Sequence, residues 1–152
     1  TDGLVIAEAM GATLMLTQVA KYVVKRPRPF TYAMDPGASS TVPTDDSLSF
    51  YSGHTAMAFA GVVSGLVTLR HRGVAGTRFG VAAGLGLALA SGVGVGRVAA
   101  ARHFWTDVMM GAAVGGLVGC LVPWLHLRED GAEDLSAGVA LQVGPLGVAG
   151  SF

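Results

Sequence analysis

The chain has 152 residues and no net formal charge, with 51% hydrophobic and 13% charged side chains, 23 glycines and one cysteine, Cys120. A soluble domain of average composition carries roughly 25% charge and about 7% glycine, so half the usual charge and twice the usual glycine stand here, with a mean hydropathy of +0.55. Disorder over most of the length is excluded by the apolar content, a disulfide scaffold by the lone cysteine, and a basic field for nucleic acid by the charge balance. What remains is one domain of a small, glycine-rich membrane protein.

Four apolar stretches approach the roughly 20 residues that cross a bilayer as a helix. Leu4 to Val24 is the first and holds Glu8 and Lys21. His54 to Leu69 is short but free of Lys, Arg, Asp and Glu, and Phe79 to Val95 is dense in Gly, Ala and Leu. The fourth, Asp107 to Leu125, has its single charge at its start. Gly84, Gly86, Gly92 and Gly94 stud the third, and Gly111, Gly115, Gly116 and Gly119 the fourth. Small residues of this kind let helix backbones approach closely in lipid. The expectation is an all-α transmembrane bundle with four spanning helices; buried helices of a soluble bundle are the alternative.

Pro29 to Ser49 reads as a polar surface loop and Arg70 to Arg78 as a short basic turn. Beyond His126 the chain turns acidic and then reads AGVALQVGPLGVAG, a weak hairpin or a flexible segment, with flexibility the expectation. The organisation is thus a membrane-embedded core over 4–126 and a tail over 127–152. The chain opens on Thr1 and enters a hydrophobic segment at once, without the basic leader of a signal peptide, which suggests an absent N-terminal part.

Threading four helices up and down collects three polar clusters on one face: KYVVKRPRP at 21–29, YSGHTA at 51–56 and GRVAAARHFWTD at 96–107. Lys21 and Arg28 are two helical turns apart, although Pro27 and Pro29 oppose a continuous helix. Either geometry can aim both cations at one point; snorkelling of Lys and Arg at a helix end is the plainer reading. Ser52-Gly53-His54 stands where a helix starts, as an ordinary cap or as an anion site built on the helix's free amides. His103 and Asp107 share a helical face, so the carboxylate can fix an imidazole tautomer, for structure or for catalysis. His54, His103 and Asp107 are a conceivable metal set, but Lys21, Arg28 and Arg97 aimed at the same spot oppose a cation and suit phosphate.

Together these segments resemble the type 2 phosphatidic acid phosphatase superfamily, whose three motifs are K-x6-R-P, P-S-G-H and S-R-x5-H-x3-D. Lys21 with Arg28-Pro29 matches the first, Ser52-Gly53-His54 the second with Tyr51 in place of proline, and Arg97, His103 and Asp107 the third with Gly96 in place of serine. The resemblance covers about residues 4 to 125. It implies a six-helix membrane core of which the last four helices are present. It implies His103 as nucleophile through a phosphohistidine, Asp107 orienting it, and His54 as acid and then base. Lys21, Arg28, Ser52, Gly53 and Arg97 would bind the phosphoryl group, and no metal or other cofactor is expected. The substrate expected is a lipid phosphate or pyrophosphate monoester in the bilayer, with no nucleic-acid partner. A non-catalytic bundle that keeps the motif and a vanadate-dependent haloperoxidase are the alternatives. Arginines lie on both faces, so charge does not decide orientation; resemblance to bacterial lipid phosphatases puts the site at the periplasmic side of the inner membrane.

Overall fold

Small residues set how closely the helices of this chain can pack, and the architecture follows from where they lie. The computed structural model describes residues 2–34, 45–138, 142–144 and 147–149, with 33, 34 and all those past 126 described by their backbone alone. Its long helices are α1 (Asp2–Val24), α3 (Gly53–His71), α4 (Gly76–Ala99) and α5 (Trp105–Gly138). A short helix, α2 (Thr31–Met34), and a 3-10 turn at Asp45–Ser47 lie between α1 and α3. Residues 35–44 of the polar loop lie outside the described residues.

Helix α3 is central: it packs most extensively on α5 and also on α1 and α4, whereas α4 touches α5 only lightly. Its buried stripe is Ala56, Ala60, Ser64 and Thr68, and that of α1 is Ala9, Thr13 and Thr17. Spacing by four keeps each stripe on one helical face. The buried threonines find local partners, whereas the Ser64 hydroxyl has none among the described residues. Thr13, Thr17 and Thr68 each donate to the carbonyl four residues back, at 2.7, 2.8 and 2.9 Å.

Facing α3, Gly111, Gly115 and Gly119 form a matching stripe on α5. A Cβ at Gly111 would stand 2.7 Å from the Ser52 carbonyl oxygen and one at Gly119 2.5 Å from that of Ala60; one at Gly115 would run into Ala56. The two backbones therefore touch, which only glycine permits. Large apolar side chains are turned outward instead, among them Met15, Val23, Leu89 and Leu117. This inverts the arrangement of a water-soluble bundle and suits a hydrocarbon solvent.

Three helices, Asp2–Val24, Gly76–Ala99 and Trp105–His126, are long and apolar enough to cross a membrane. The fourth expected span, α3, has the length but less apolarity. Enclosed by the other helices, it can carry Thr55, Ser64 and Thr68 on buried positions. The apolar part of α5, Trp105–His126, coincides with the fourth apolar stretch, and the helix continues beyond it to Gly138 with Pro123 inside it. No helix-stopping pair follows Pro123, and the acidic stretch is rich in good helix formers. Further along, Gln142–Gly144 (β1) and Gly147–Ala149 (β2) pair antiparallel; residues 139–141, 145–146 and 150–152 of the segment expected to be flexible lie outside the described residues. At that end of the bundle Asp2 and Arg72 form a bidentate pair, tying the start of α1 to the α3–α4 turn.

Candidate active site

The helix of α1 ends at Val24, between Lys21 and Arg28. Lys25 adopts a left-handed backbone (φ 48°) and its N–H closes on the Lys21 carbonyl at 3.0 Å, and Pro27 has no N–H to continue a ladder. The segment that follows is held from both sides. Arg28 N–H donates to the Asp46 carbonyl and Ser49 N–H to that of Arg26, both at 2.8 Å, while Phe30 N–H reaches Ala101 at 3.3 Å. Lys21 thus approaches from a helix and Arg28 from the stretch beyond it, and the two cations lie close enough to repel each other.

Arg97 comes from the last turn of α4 and feels the charge of Arg28. Its Nε is buried without a hydrogen-bond partner among the described residues. Beyond α4 the chain turns through Ala101 in the left-handed region (φ 52°) and delivers His103, only 2% exposed, just before α5. His54, in the first turn of α3 and open to solvent, sits in the combined field of Arg97, Lys21 and Arg28. The structure therefore brings both histidines and all three expected phosphate-binding cations into one electrostatic neighbourhood.

Ser52 occupies the N-cap position of α3 but makes no side-chain cap bond. Its Oγ accepts from the Thr55 hydroxyl at 2.9 Å, and its N–H donates to the Asp107 carbonyl at 3.0 Å. The ordinary serine cap is thus not formed. Gly53 sits close against α1: a Cβ there would stand 3.0 Å from the Thr17 methyl, a tight contact that Thr17 would have to yield to. Beside Gly96, by contrast, nothing lies within 4 Å.

His103 and Asp107 are not hydrogen-bonded: Nδ1 and Oδ2 are 3.7 Å apart, and Nδ1 is buried without a partner among the described residues. Asp107, fully buried, is occupied by three other donors. Arg26 Nη1 reaches Oδ1 at 2.7 Å, and Ser49 Oγ and the Phe104 N–H reach Oδ2 at 2.6 and 3.0 Å. Burial and the guanidinium charges of Arg28 and Arg97 push the His103 imidazole down to about 4, against the pull of the Ser49 backbone and Asp107. It is neutral at pH 7.

Three participants were not singled out by sequence reasoning: Arg26, Ser49 and Asp45. Arg28 is itself 4% exposed, donating from Nε to the Asp45 carbonyl at 2.7 Å and from Nη2 to the Asp45 carboxylate at 2.8 Å. One signal for Arg26 was present. In extended backbone, residues two apart point to the same side, so Arg26-Pro27-Arg28 offers two guanidiniums rather than one. Among the described residues, no three His, Cys, Asp or Glu side chains converge as a group able to hold a metal ion.

A family model for the PAP2 superfamily matches residues 2–130. The chain belongs to that superfamily. Lipid A 1-phosphatase of Porphyromonas gingivalis is 36% identical over 124 residues, which cover 80% of this chain and 24% of that protein. The chain thus spans about a quarter of the length of that relative. No solved structure matches it.

Proposed function

We propose that this PAP2 chain carries the active site of an integral membrane phosphatase that hydrolyses a lipid phosphate or pyrophosphate monoester through a phosphohistidine. The observation that carries the reading is the gathering of Lys21, Arg28 and Arg97 around two histidines, His54 in the field of all three and His103 in that of Arg28 and Arg97. The Asp45 carboxylate pairs with Arg28 but is one negative charge against three positive ones, and a phosphoryl group supplies further compensating charge. Phosphoryl transfer depends mainly on positioning and on stabilising charge on the equatorial oxygens. Three fixed cations provide that stabilisation, assisted by the amide of Gly53 and the hydroxyl of Ser52 at the start of α3.

In this mechanism His103 attacks phosphorus. With Nδ1 turned toward Asp107, Nε2 is the nitrogen left for the bond. The phosphorus–oxygen bond to the lipid breaks as His54 donates a proton to the departing oxygen; the surrounding cations lower its hold on that proton, and the negative charge of the bound phosphate restores it. His54 then accepts a proton from water, which attacks the phosphohistidine, releases inorganic phosphate and returns His103 to its neutral form. Depression of the His103 proton affinity serves the first step, because only the neutral ring is nucleophilic.

Outward-facing apolar side chains favour a substrate taken from the bilayer, and the name of the Porphyromonas gingivalis relative favours a lipid phosphate. The same reading places the site at the periplasmic face of the inner membrane. The deciding experiment is phosphate release by the full-length protein in detergent from lipid A, phosphatidic acid, phosphatidylglycerol phosphate and undecaprenyl pyrophosphate. Turnover of none of them would overturn the proposal.

A further inference from the structure

Asp107 poses a problem that the phosphatase mechanism does not itself solve. A fully buried carboxylate must be paired or it takes up a proton. Its partner is Arg26, which reaches Oδ1 at 2.7 Å from a side chain that is 33% exposed. The seat of Arg26 is built from the residues that follow His103. Its guanidinium lies 4.0 Å from the centre of the Phe104 ring, and the same Nη1 reaches the Thr106 hydroxyl at 2.8 Å. Phe104 in turn donates its N–H to Asp107, and Ser49, whose own N–H donates to the Arg26 carbonyl, closes the other side of the carboxylate. One arginine therefore both neutralises Asp107 and clamps the short loop that carries His103.

We propose that Arg26 is a positioning residue for phosphoryl transfer, holding Asp107 as a compensated carboxylate so that His103 stays unprotonated and aimed. The inference rests on His103 being the nucleophile. The charged groups around the pair are Arg26 and Arg28 from the segment after α1, Arg97 from the end of α4 and, within the same field, Lys21 of α1, His54 of α3 and Asp45 of the loop. Arg28 and Arg97 act on His103 directly, whereas Arg26 acts through Asp107. Without Arg26 the carboxylate charge is uncompensated, and the His103–Asp107 pair takes up a proton more readily.

The test is the pH dependence of kcat/KM for dioctanoyl phosphatidic acid in detergent, measured on the full-length protein. Arg26→Gln should move the acid limb upward by about one unit and lower kcat with little change in KM. Arg26→Lys keeps the charge and should return the limb to its wild-type position. An unshifted limb in Arg26→Gln, or an equal shift in Arg26→Lys, would overturn the proposal. Should Arg26→Gln fail to fold, Asp107→Asn and Asp107→Asn/Arg26→Gln remove the stranded charge. Their limbs should coincide, and a difference approaching one unit sinks the inference. His103→Ala separates the two readings. Wild-type turnover that survives it removes the nucleophile and this inference together; turnover that needs His103 but shows no Arg26 effect removes the inference alone.

Discussion

His103 Nδ1 stands 3.7 Å from Asp107 Oδ2, and that oxygen is already engaged by the Ser49 hydroxyl at 2.6 Å. His103 lies in the turn before α5 and not on the helix that carries Asp107, so the expected shared helical face is replaced by a loop-to-helix contact, and the carboxylate is shared among Arg26, Ser49 and Phe104 before the imidazole reaches it. Catalytic hydrogen bonds are often long before substrate binds and tighten in the complex. A shift of less than 1 Å closes this one.

The first prediction follows from that contact. His103→Ala should abolish phosphate release, and the wild-type protein should form an acid-labile phosphoenzyme with a radiolabelled substrate. Asp107→Asn should retain more activity than His103→Ala, because Asp107 orients the ring and does not attack. Undiminished release from His103→Ala would refute the mechanism.

The low proton affinity of His103 has a sign that can be checked twice. The nucleophile stays neutral down to about pH 4, so the acid limb of kcat/KM should lie well below the 6.5 of a free imidazole. An unfolded chain binds that proton near 6.5 and the native state does not, so stability should fall as pH drops from 6.5 toward 4. Thermal unfolding in detergent at pH 7 and pH 5, with His103→Ala as the flatter reference, measures this. A wild-type curve no steeper than the variant's contradicts it.

Lys21, Arg28 and Arg97 already supply three positive charges to the proposed phosphate site. EDTA should leave activity nearly intact, and orthovanadate should inhibit competitively as a mimic of the five-coordinate transition state. Activity lost on chelation and restored by Mg²⁺ or Zn²⁺ would overturn this assignment.

Packing of α3 against α5 yields a paired prediction. Gly115→Ala would place a methyl group against the Ala56 backbone, whereas Gly116→Ala meets open space. The first should destabilise by about 1–3 kcal/mol, and the second should be neutral or stabilising by up to about 1 kcal/mol through helix propensity. Unfolding midpoints in one detergent compare them; equal midpoints would mean that the two backbones do not touch.

Orientation is open to thiol labelling. With Cys120, which is exposed, replaced by alanine, a cysteine at Tyr32 reports the site end and one at Thr77 the opposite end. A membrane-impermeant reagent on intact cells should label only the Tyr32 position. Labelling at Thr77 instead would place the site in the cytoplasm.

The sequence alone determined the membrane class, the positions of the apolar helices and the three motifs, because these are local properties: apolar length, a period of 3.6, and residue spacing within one segment. Lys21, Arg28, Ser52, Gly53, His54, Arg97, His103 and Asp107 were legible in that way. Tertiary structure alone decided that α3 is the enclosed helix, which depends on which faces meet. It also decided what holds Asp107. Arg26 and Asp107 are separated by 81 residues, and Ser49 and Asp107 by 58. No periodicity connects such positions. They meet because Lys25 breaks α1, the following segment hydrogen-bonds to 45–49, and the glycine stripe of α5 draws Asp107 against the start of α3. A buried carboxylate takes whatever donors the packed backbone delivers, and only the folded chain specifies them.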